Sequence, residues 1–325
     1  MNEPNGRRPF LADALDVDRL TDRATVGAYR LGSLAARAMP ALLAAGMSTP
    51  FGASAAFASP ERRAMVARHQ QRVDPTLRGL RLRQAVQESF DSYARYYIES
   101  FRLPNLSKRA VNATFRRKGY QYILDGLGAG NGVIVALPHL GGWEWAGRWF
   151  ADRGHQISVV VERLDPPELF DWFAELRSRL GMNVIALGPD AGSEVLRALR
   201  NNHVVCLLSD RDLDGRGPEV EFFGEVTTLP AGPAALALRT GAPIIPVVTY
   251  FTDRVDGHYA TAYPPLEVAR TKGGRLRDDV QRVTQDIAHV LEDMIRRAPT
   301  QWHMFQPNWP SDPGYSNDRP SSPSR

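Results

Sequence analysis

Hydrophobic and polar positions change rhythm near residue 130 of this chain. From 80 to 101 (LRLRQAVQESFDSYARYYIESF) apolar or aromatic residues return every three or four positions. That spacing predicts a helix with Phe90, Tyr93, Tyr97 and Phe101 on one side. Pro104 and Asn105 end it, and Ser107 is placed to cap the next helix. The chain up to about 128 reads as helical. Beyond Gly132 the pattern becomes short unbroken apolar runs: 133–138 (VIVALP), 157–162 (ISVVVE), 183–187 (NVIAL), 203–209 (HVVCLLS) and 244–251 (IIPVVTYF). Amphipathic stretches at 142–153, 166–180, 190–201 and 231–240 separate them, and a long helix over 275–297 closes the series. Apolar runs without alternation predict strands buried on both faces, and helices between them predict parallel crossovers. The expected class is α/β, a mostly parallel central sheet flanked by helices, with an N-terminal helical region that contributes to a groove and a membrane face. The expected layout is a polar tail over 1–18, a helical region over 19–128, an α/β domain over 129–309 and a Pro/Ser-rich tail over 310–325, both tails disordered. Residues 19–309 are expected to form one compact unit.

Near the N-terminus, Ala24 to Met47 predicts an amphipathic helix pair. Tyr29, Leu31, Leu34, Met39, Leu42 and Leu43 are its apolar positions, and Arg23, Arg30 and Arg37 recur every seventh residue as one stripe. Such a stripe suits a helix lying in a membrane interface with its cations on phosphates. The uncharged stretch 38–60 is interrupted by Pro40, Gly46, Pro50 and Gly52, which argues against a spanning helix. The first twenty residues lack an apolar core and do not read as a signal peptide. Overall charge is a mild +4, which gives no reason to expect nucleic-acid binding. It is unevenly placed: residues 61–118 carry 14 Lys/Arg against 5 Asp/Glu. A basic half suggests a face that meets an anion, either lipid headgroups or a phosphorylated co-substrate. The single cysteine, Cys206, excludes an internal disulfide framework and a Cys-cluster metal site.

The candidate chemistry gathers where the apolar runs end, because ligands of parallel α/β sheets bind beyond the carboxyl ends of the strands. The first run ends in Pro138-His139-Leu140-Gly141-Gly142-Trp143-Glu144. His139 stands at a strand-to-helix turn, and the two glycines would let a substrate approach the backbone. A neutral imidazole there can take a proton from an attacking hydroxyl, given a carboxylate to fix its tautomer. Glu144 and Asp210, the latter at the end of the fourth run, are both candidates for that partner. A second group is Asp210-Arg211-Asp212, followed by a glycine-punctuated loop and Pro230-Ala231-Gly232. Three charges at a strand end are costly to bury unless they bind one another or a ligand, and amides near 230–232, Gly232 among them, suit an oxyanion. A third is Arg177 with Glu162 and Arg163, where an arginine could hold phosphate in a forked geometry. No G-x-S-x-G elbow and no phosphate-binding G-x-x-x-x-G-K-[ST] occurs. The alternating glycines at 126–132 precede a strand rather than open a helix, and the histidines show no metal spacing.

His139-x₄-Glu144 after an apolar strand resembles the H-x₄-D/E motif of the glycerolipid acyltransferase superfamily. The strings ALPHLGGWEWAG, ERL…LFDWF…LRSRLGM, LLSDRDLDGRGPEVEFFGEVTTLPAGPAALALRTGAPIIPV and QWHMFQPNW together resemble the branch of lipid A late acyltransferases and phosphatidylinositol mannoside acyltransferases. The resemblance implies transfer of a long acyl chain from acyl-CoA, a co-substrate with no further cofactor or metal, to a sugar hydroxyl of a phosphatidylinositol mannoside. It places that reaction at the cytoplasmic face of the bacterial inner membrane. It further implies that His139 is the base, Asp210 its relay acid, Arg177 the contact to acyl-CoA and Glu162 a site glutamate. Another glycolipid or a lysophospholipid as acceptor, or a lipid carrier without chemistry, are the competing readings. The aromatics of 80–101 with Trp143, Trp145 and Trp149 are candidates for the acyl groove or for core.

Overall fold

The computed structural model describes residues 17–164 and 166–315. Four helices come first: α1 (Val17–Ala38), α2 (Ala41–Ala58), α3 (Pro60–Val73) and α4 (Gly79–Arg102). α5 (Lys108–Thr114), β1 (Phe115–Lys118) and α6 (Tyr120–Gly128) lead to an alternating series: β2 (Val133–Leu137), α7 (Trp143–Ala151), β3 (Ile157–Val161), α8 (Pro167–Arg179), β4 (Met182–Ala186), α9 (Ala191–Arg200) and β5 (Val204–Leu208). After it follow β6 (Glu219–Phe222), β7 (Glu225–Thr228), α10 (Gly232–Thr240), β8 (Ile244–Phe251), β9 (His258–Ala262) and α11 (Leu276–Arg297).

Seven strands form one sheet in the order β1-β9-β8-β2-β5-β3-β4. All neighbours are parallel except β8 and β9. Every residue of β2 is buried, as an unbroken VIVAL run demands. Ile134 and Ala136 face a core completed by α9, α10 and α11, through Val195, Ala234 and Ile287 among others. Val133, Val135 and Leu137 face the opposite core, with Trp145 and Trp149 of α7 and Val111 of α5. Two covered faces are the condition for a parallel sheet.

From residue 80 onward the predicted strands and helices fall within one or two residues of their expected ends, whereas the helix pair expected over 24–47 spans Val17–Ala38 and Ala41–Ala58. Four features depart from the pattern. β1 lies inside the stretch read as helical: its sequence FRRK buries only Phe115, and an edge strand with one apolar residue carries no strand signature. β9, also short, was not expected. The β6–β7 hairpin turns through Phe223 (φ 50°) and Gly224 (φ 77°), a two-residue loop with both dihedrals positive. α2 runs unbroken through Pro50, where sequence predicted interruption. Gly52 explains how it is held there, since a side chain at that position would lie 2.7 Å from the Asp91 backbone. The glycine lets α2 lie directly on α4, and that packing overrides the helix-breaking preference. By length and composition alone α2 is long and apolar enough to cross a membrane.

The expected tails lie mostly outside the described residues, as does the Arg23 side chain of the predicted stripe. Residues 310–315 are an exception, because Asp312 is 4% exposed and tied to His69 of α3. α4 is fastened to the sheet by a buried pair, Glu99 with His258 of β9 at 3.0 Å, and by Arg102 with Asp256. These pairs set Tyr93, Tyr96 and Tyr97 above the carboxyl ends of β2, β5 and β3.

Candidate active site

The chain leaves β2 through Pro138 into a tight turn. Gly141 takes φ +59°, and both Gly141 and Gly142 meet protein where a Cβ would sit, Thr249 O for the first and the His258 ring for the second. Their freedom is therefore used to seat the turn on β8 and β9, not to admit a substrate as the sequence suggested. The turn leaves the His139 side chain 35% exposed. β5 ends beside β2 in register, which sets Asp210 under the ring. Asp210 Oδ1 lies 2.7 Å from His139 Nδ1. Its Oδ2 accepts the His139 backbone N–H at 2.9 Å and Trp302 Nε1–H at 2.8 Å. Burial alone would raise this carboxyl, but the imidazole charge and the hydrogen bonds from His139 and Trp302 outweigh it and hold it below the ordinary carboxylate range. Asp210 is thus an ionised, fully buried acceptor, and the imidazole presents Nε2 away from it.

Residues 299–312 cross this pair as a strap. His303 N donates to His139 O at 2.7 Å and Gly141 N donates to Gln301 O at 3.0 Å. Asn308 Nδ2 donates to the Asp210 carbonyl at 3.0 Å. Asp312 in turn accepts from Asn308 N and Trp309 N. The His303 ring is buried beside Ser92 of α4, and burial, reinforced by the His139 charge, lowers it to about 3. It remains neutral at physiological pH.

Two cavities meet at His139. One, about 220 Å³, is roofed by Tyr93, Tyr96, Tyr97, Trp143 and Phe173 over the sheet residues Leu137, Val159, Cys206 and Leu208. The other, about 340 Å³, runs between Leu187, Leu207, the loop 212–217 and the start of α10 at Ala231 and Gly232. His139, Val160, Val161, Glu162, Leu208 and Arg211 belong to both walls. A histidine in the shared wall of two cavities can bring two substrates together.

The other predicted residues take varied places. Glu144 is not the ring's partner: its Oε1 accepts from Tyr96 Oη and from Arg177 at 3.2 Å. Burial raises its carboxyl despite the Arg177 charge. Arg177 lines the smaller cavity, paired with Glu144 and with its guanidinium 5.0 Å from the Trp143 ring. Glu162 stands at the shared mouth, 3.8 Å from Arg211. Arg163 lines neither cavity and donates to Leu187 O over Phe170. Asp212 is buried, lines the larger cavity and accepts from the amides of Asp214 and Gly217. Trp143 is a cavity wall, whereas Trp145 and Trp149 are core. Sequence reasoning did not single out Tyr96, Trp302, His303 or Asn308. The three C-terminal residues stand in a string that carried the resemblance, but no local spacing ties them to residue 210.

Fold and site describe an α/β protein with a carboxylate-oriented histidine at the carboxyl ends of its strands. Residues 19–311 match the profile of bacterial lipid A biosynthesis acyltransferases, and the chain belongs to that family; it is an acyltransferase. More particularly, it is similar to the phosphatidylinositol mannoside acyltransferase of Mycobacterium tuberculosis, found alike in strains CDC 1551 / Oshkosh and ATCC 25618 / H37Rv. Identity is 41% over 229 residues, 69% of this chain and 70% of the relative. The protein of the same name from Mycolicibacterium smegmatis (strain ATCC 700084 / mc(2)155) is 37% identical over 291 residues, 87% of this chain and 91% of that one.

Proposed function

We propose that this enzyme moves a long-chain acyl group from acyl-CoA to a sugar hydroxyl of a phosphatidylinositol mannoside, with His139 as general base. The observation that carries the reading is the 2.7 Å contact between His139 Nδ1 and the buried Asp210 carboxylate, at the place where the two cavities join. Asp210 holds the tautomer with its proton on Nδ1, so Nε2 has a lone pair for the acceptor hydroxyl. As the hydroxyl oxygen attacks the thioester carbonyl, its proton passes to Nε2, and the carboxylate steadies the imidazolium. The tetrahedral intermediate collapses with loss of CoA thiolate, which takes up the proton. Amides at Ala231 and Gly232, in the wall of the larger cavity, are suited to the developing oxyanion. The smaller cavity, aromatic and aliphatic, takes the acyl chain. The larger, with Asp214 and Arg216 in its wall, takes polar portions of the substrates.

A membrane role is supported by the surface of α1 and α2. Leu31, Leu34, Leu42, Leu43, Phe51 and Phe57 are all exposed, Phe57 by 83%, and exposed Arg30 accompanies them. Large apolar side chains exposed along two neighbouring helices fit an interface. We assign the enzyme to the cytoplasmic face of the plasma membrane as a peripheral protein, where both acyl-CoA and a glycolipid are accessible.

The test is acyl transfer by the purified chain from labelled acyl-CoA to a panel of phosphatidylinositol mannosides, lipid A precursors and lysophospholipids. The expected result is preference for the mannosides and loss of transfer in His139→Ala. Near-normal transfer by that variant would overturn the mechanism, and preference for another headgroup would overturn the acceptor. A carrier without chemistry would show no transfer from any donor, and it leaves the oriented His139–Asp210 pair without a purpose.

A further inference from the structure

The strap carries three donors to the His139–Asp210 pair: Trp302 Nε1–H on Asp210 Oδ2, His303 N–H on His139 O, and the Asn308 amide on the Asp210 carbonyl. The strap is held in turn by a side chain of α3. His69 is 1% exposed, and its ring bridges two points of the strap. Nδ1 lies 3.0 Å from Met304 O, and Nε2 lies 3.1 Å from Asp312 Oδ2. The same Asp312 oxygen accepts the backbone N–H groups of Asn308 and Trp309, at 2.9 and 3.1 Å. The Trp302 indole that reaches Asp210 also lies against His69, with ring centres 5.8 Å apart.

A carbonyl oxygen and a carboxylate oxygen can only accept. A neutral imidazole has one N–H, so it would satisfy one of them and turn a lone pair on the other, away from water. A ring that serves both carries a proton on each nitrogen. A buried cation persists only when it is paired and hydrogen-bonded, and Asp312, fully buried beside it, meets both conditions. Met304 and Asp312 are eight residues apart, and Asn308 stands midway between them. Trp302 and His303 directly precede the first contact. Arg68 and Gln70, also on α3, bond Ser311 O and Pro299 O, outside the stretch that touches the pair.

We infer that His69 is a positioning residue for acyl transfer: as a doubly donating ring it pins the strap at Met304 and Asp312, and the pinned strap keeps Trp302 and Asn308 on Asp210. This rests on the reading of His139 as the base and Asp210 as its partner. His69 lines neither cavity, so it acts through the strap. Without it the indole and amide donors shift, and Asp210 loses the contacts that aim Oδ1 at His139 Nδ1. The loss falls on turnover more than on binding, because the displaced donors serve the pair.

The experiment uses the full chain with labelled acyl-CoA and a phosphatidylinositol mannoside acceptor. His69→Gln presents one nitrogen where the ring presents two, and kcat should fall by roughly 10- to 100-fold, with KM for acyl-CoA changed far less. Asp312→Asn keeps an oxygen for the two amides but removes the counter-charge, and should give the same split in weaker form. Nuclear magnetic resonance of the histidine-¹⁵N-labelled chain reads the pair directly. The His139 Nδ1–H signal should move or broaden in both variants, and wild-type His69 should carry protons on both ring nitrogens at neutral pH. A purely architectural role would lower the unfolding midpoint and leave kcat and the His139 signal of the folded variants at wild-type values; that outcome overturns the inference. A singly protonated His69 ring in the wild-type chain overturns it too, and requires no variant to fold. Near-normal transfer by His139→Ala would instead overturn the catalytic reading beneath it, so the two failures are told apart.

Discussion

Replacing Asp210 with asparagine isolates the tautomer from the geometry. Asp210 Oδ2 accepts two fixed donors, the His139 backbone N–H at 2.9 Å and Trp302 Nε1–H at 2.8 Å. An amide at this position must place its oxygen there, because its NH₂ would face two N–H groups. The NH₂ then occupies the Oδ1 place, opposite His139 Nδ1, and forces that nitrogen to accept. The ring proton moves to Nε2, the atom that must take the proton from the acceptor hydroxyl. The fold keeps its hydrogen bonds while the base loses its lone pair. The expected loss of turnover is about 10³–10⁴-fold, the range seen when a triad carboxylate is made neutral, or about 4–5.5 kcal/mol of transition-state stabilisation. The assay is steady-state transfer from labelled acyl-CoA, with thermal unfolding as control. A variant that unfolds at the wild-type temperature and transfers within tenfold of the wild-type rate would refute the reasoning.

Other consequences follow from buried charges and from the exposed helical face. Glu144→Gln strips the counter-charge from Arg177, itself 12% exposed, and should destabilise the fold by about 3–5 kcal/mol, measured by chemical denaturation. Asp312 is fully buried against His69; burial would raise it, but the bonds from His69 and from the amides of Asn308 and Trp309 hold it well below the usual carboxylate range. Because its folded value lies below the unfolded one, near 3.9, its contribution is present at neutral pH and lost as pH falls through that region. Asp312→Asn should therefore be less stable at neutral pH and lose less stability on acidification, as followed by unfolding midpoints across pH. Leu42→Ser with Phe57→Ser should lower sedimentation with anionic phospholipid vesicles severalfold while sparing the unfolding temperature.

The apolar runs of β2, β3, β4, β5 and β8 were legible because a strand covered on both faces needs no alternation, and little else in an α/β chain looks like that. β1 and β9 were not, since a short edge strand such as FRRK has too few buried positions to impose a pattern. The hairpin hid for a related reason: EVEF and EVTT alternate over only four residues each. At the site, His139 and Asp210 could be paired from sequence because ends of neighbouring parallel strands are neighbours in space. The assignment of Glu144 as an alternative partner failed once the helix began, where its side chain turns towards Tyr96 and Arg177. Trp302 and Asn308 reach Asp210 across 92 and 98 positions, a closure that no periodicity encodes. Pro50 misled because helix propensity is local, whereas the close seat of Gly52 on Asp91 is not.

The strap has a consequence for shortened chains. A chain that ends after α11 has every strand of the sheet that carries His139 and Asp210, yet it lacks the indole N–H that grips the carboxylate and the Asn308 side-chain amide that holds the Asp210 carbonyl. The orientation of the carboxylate is therefore completed by residues some ninety positions downstream of it, so truncation before Trp302 removes the contacts that fix Asp210.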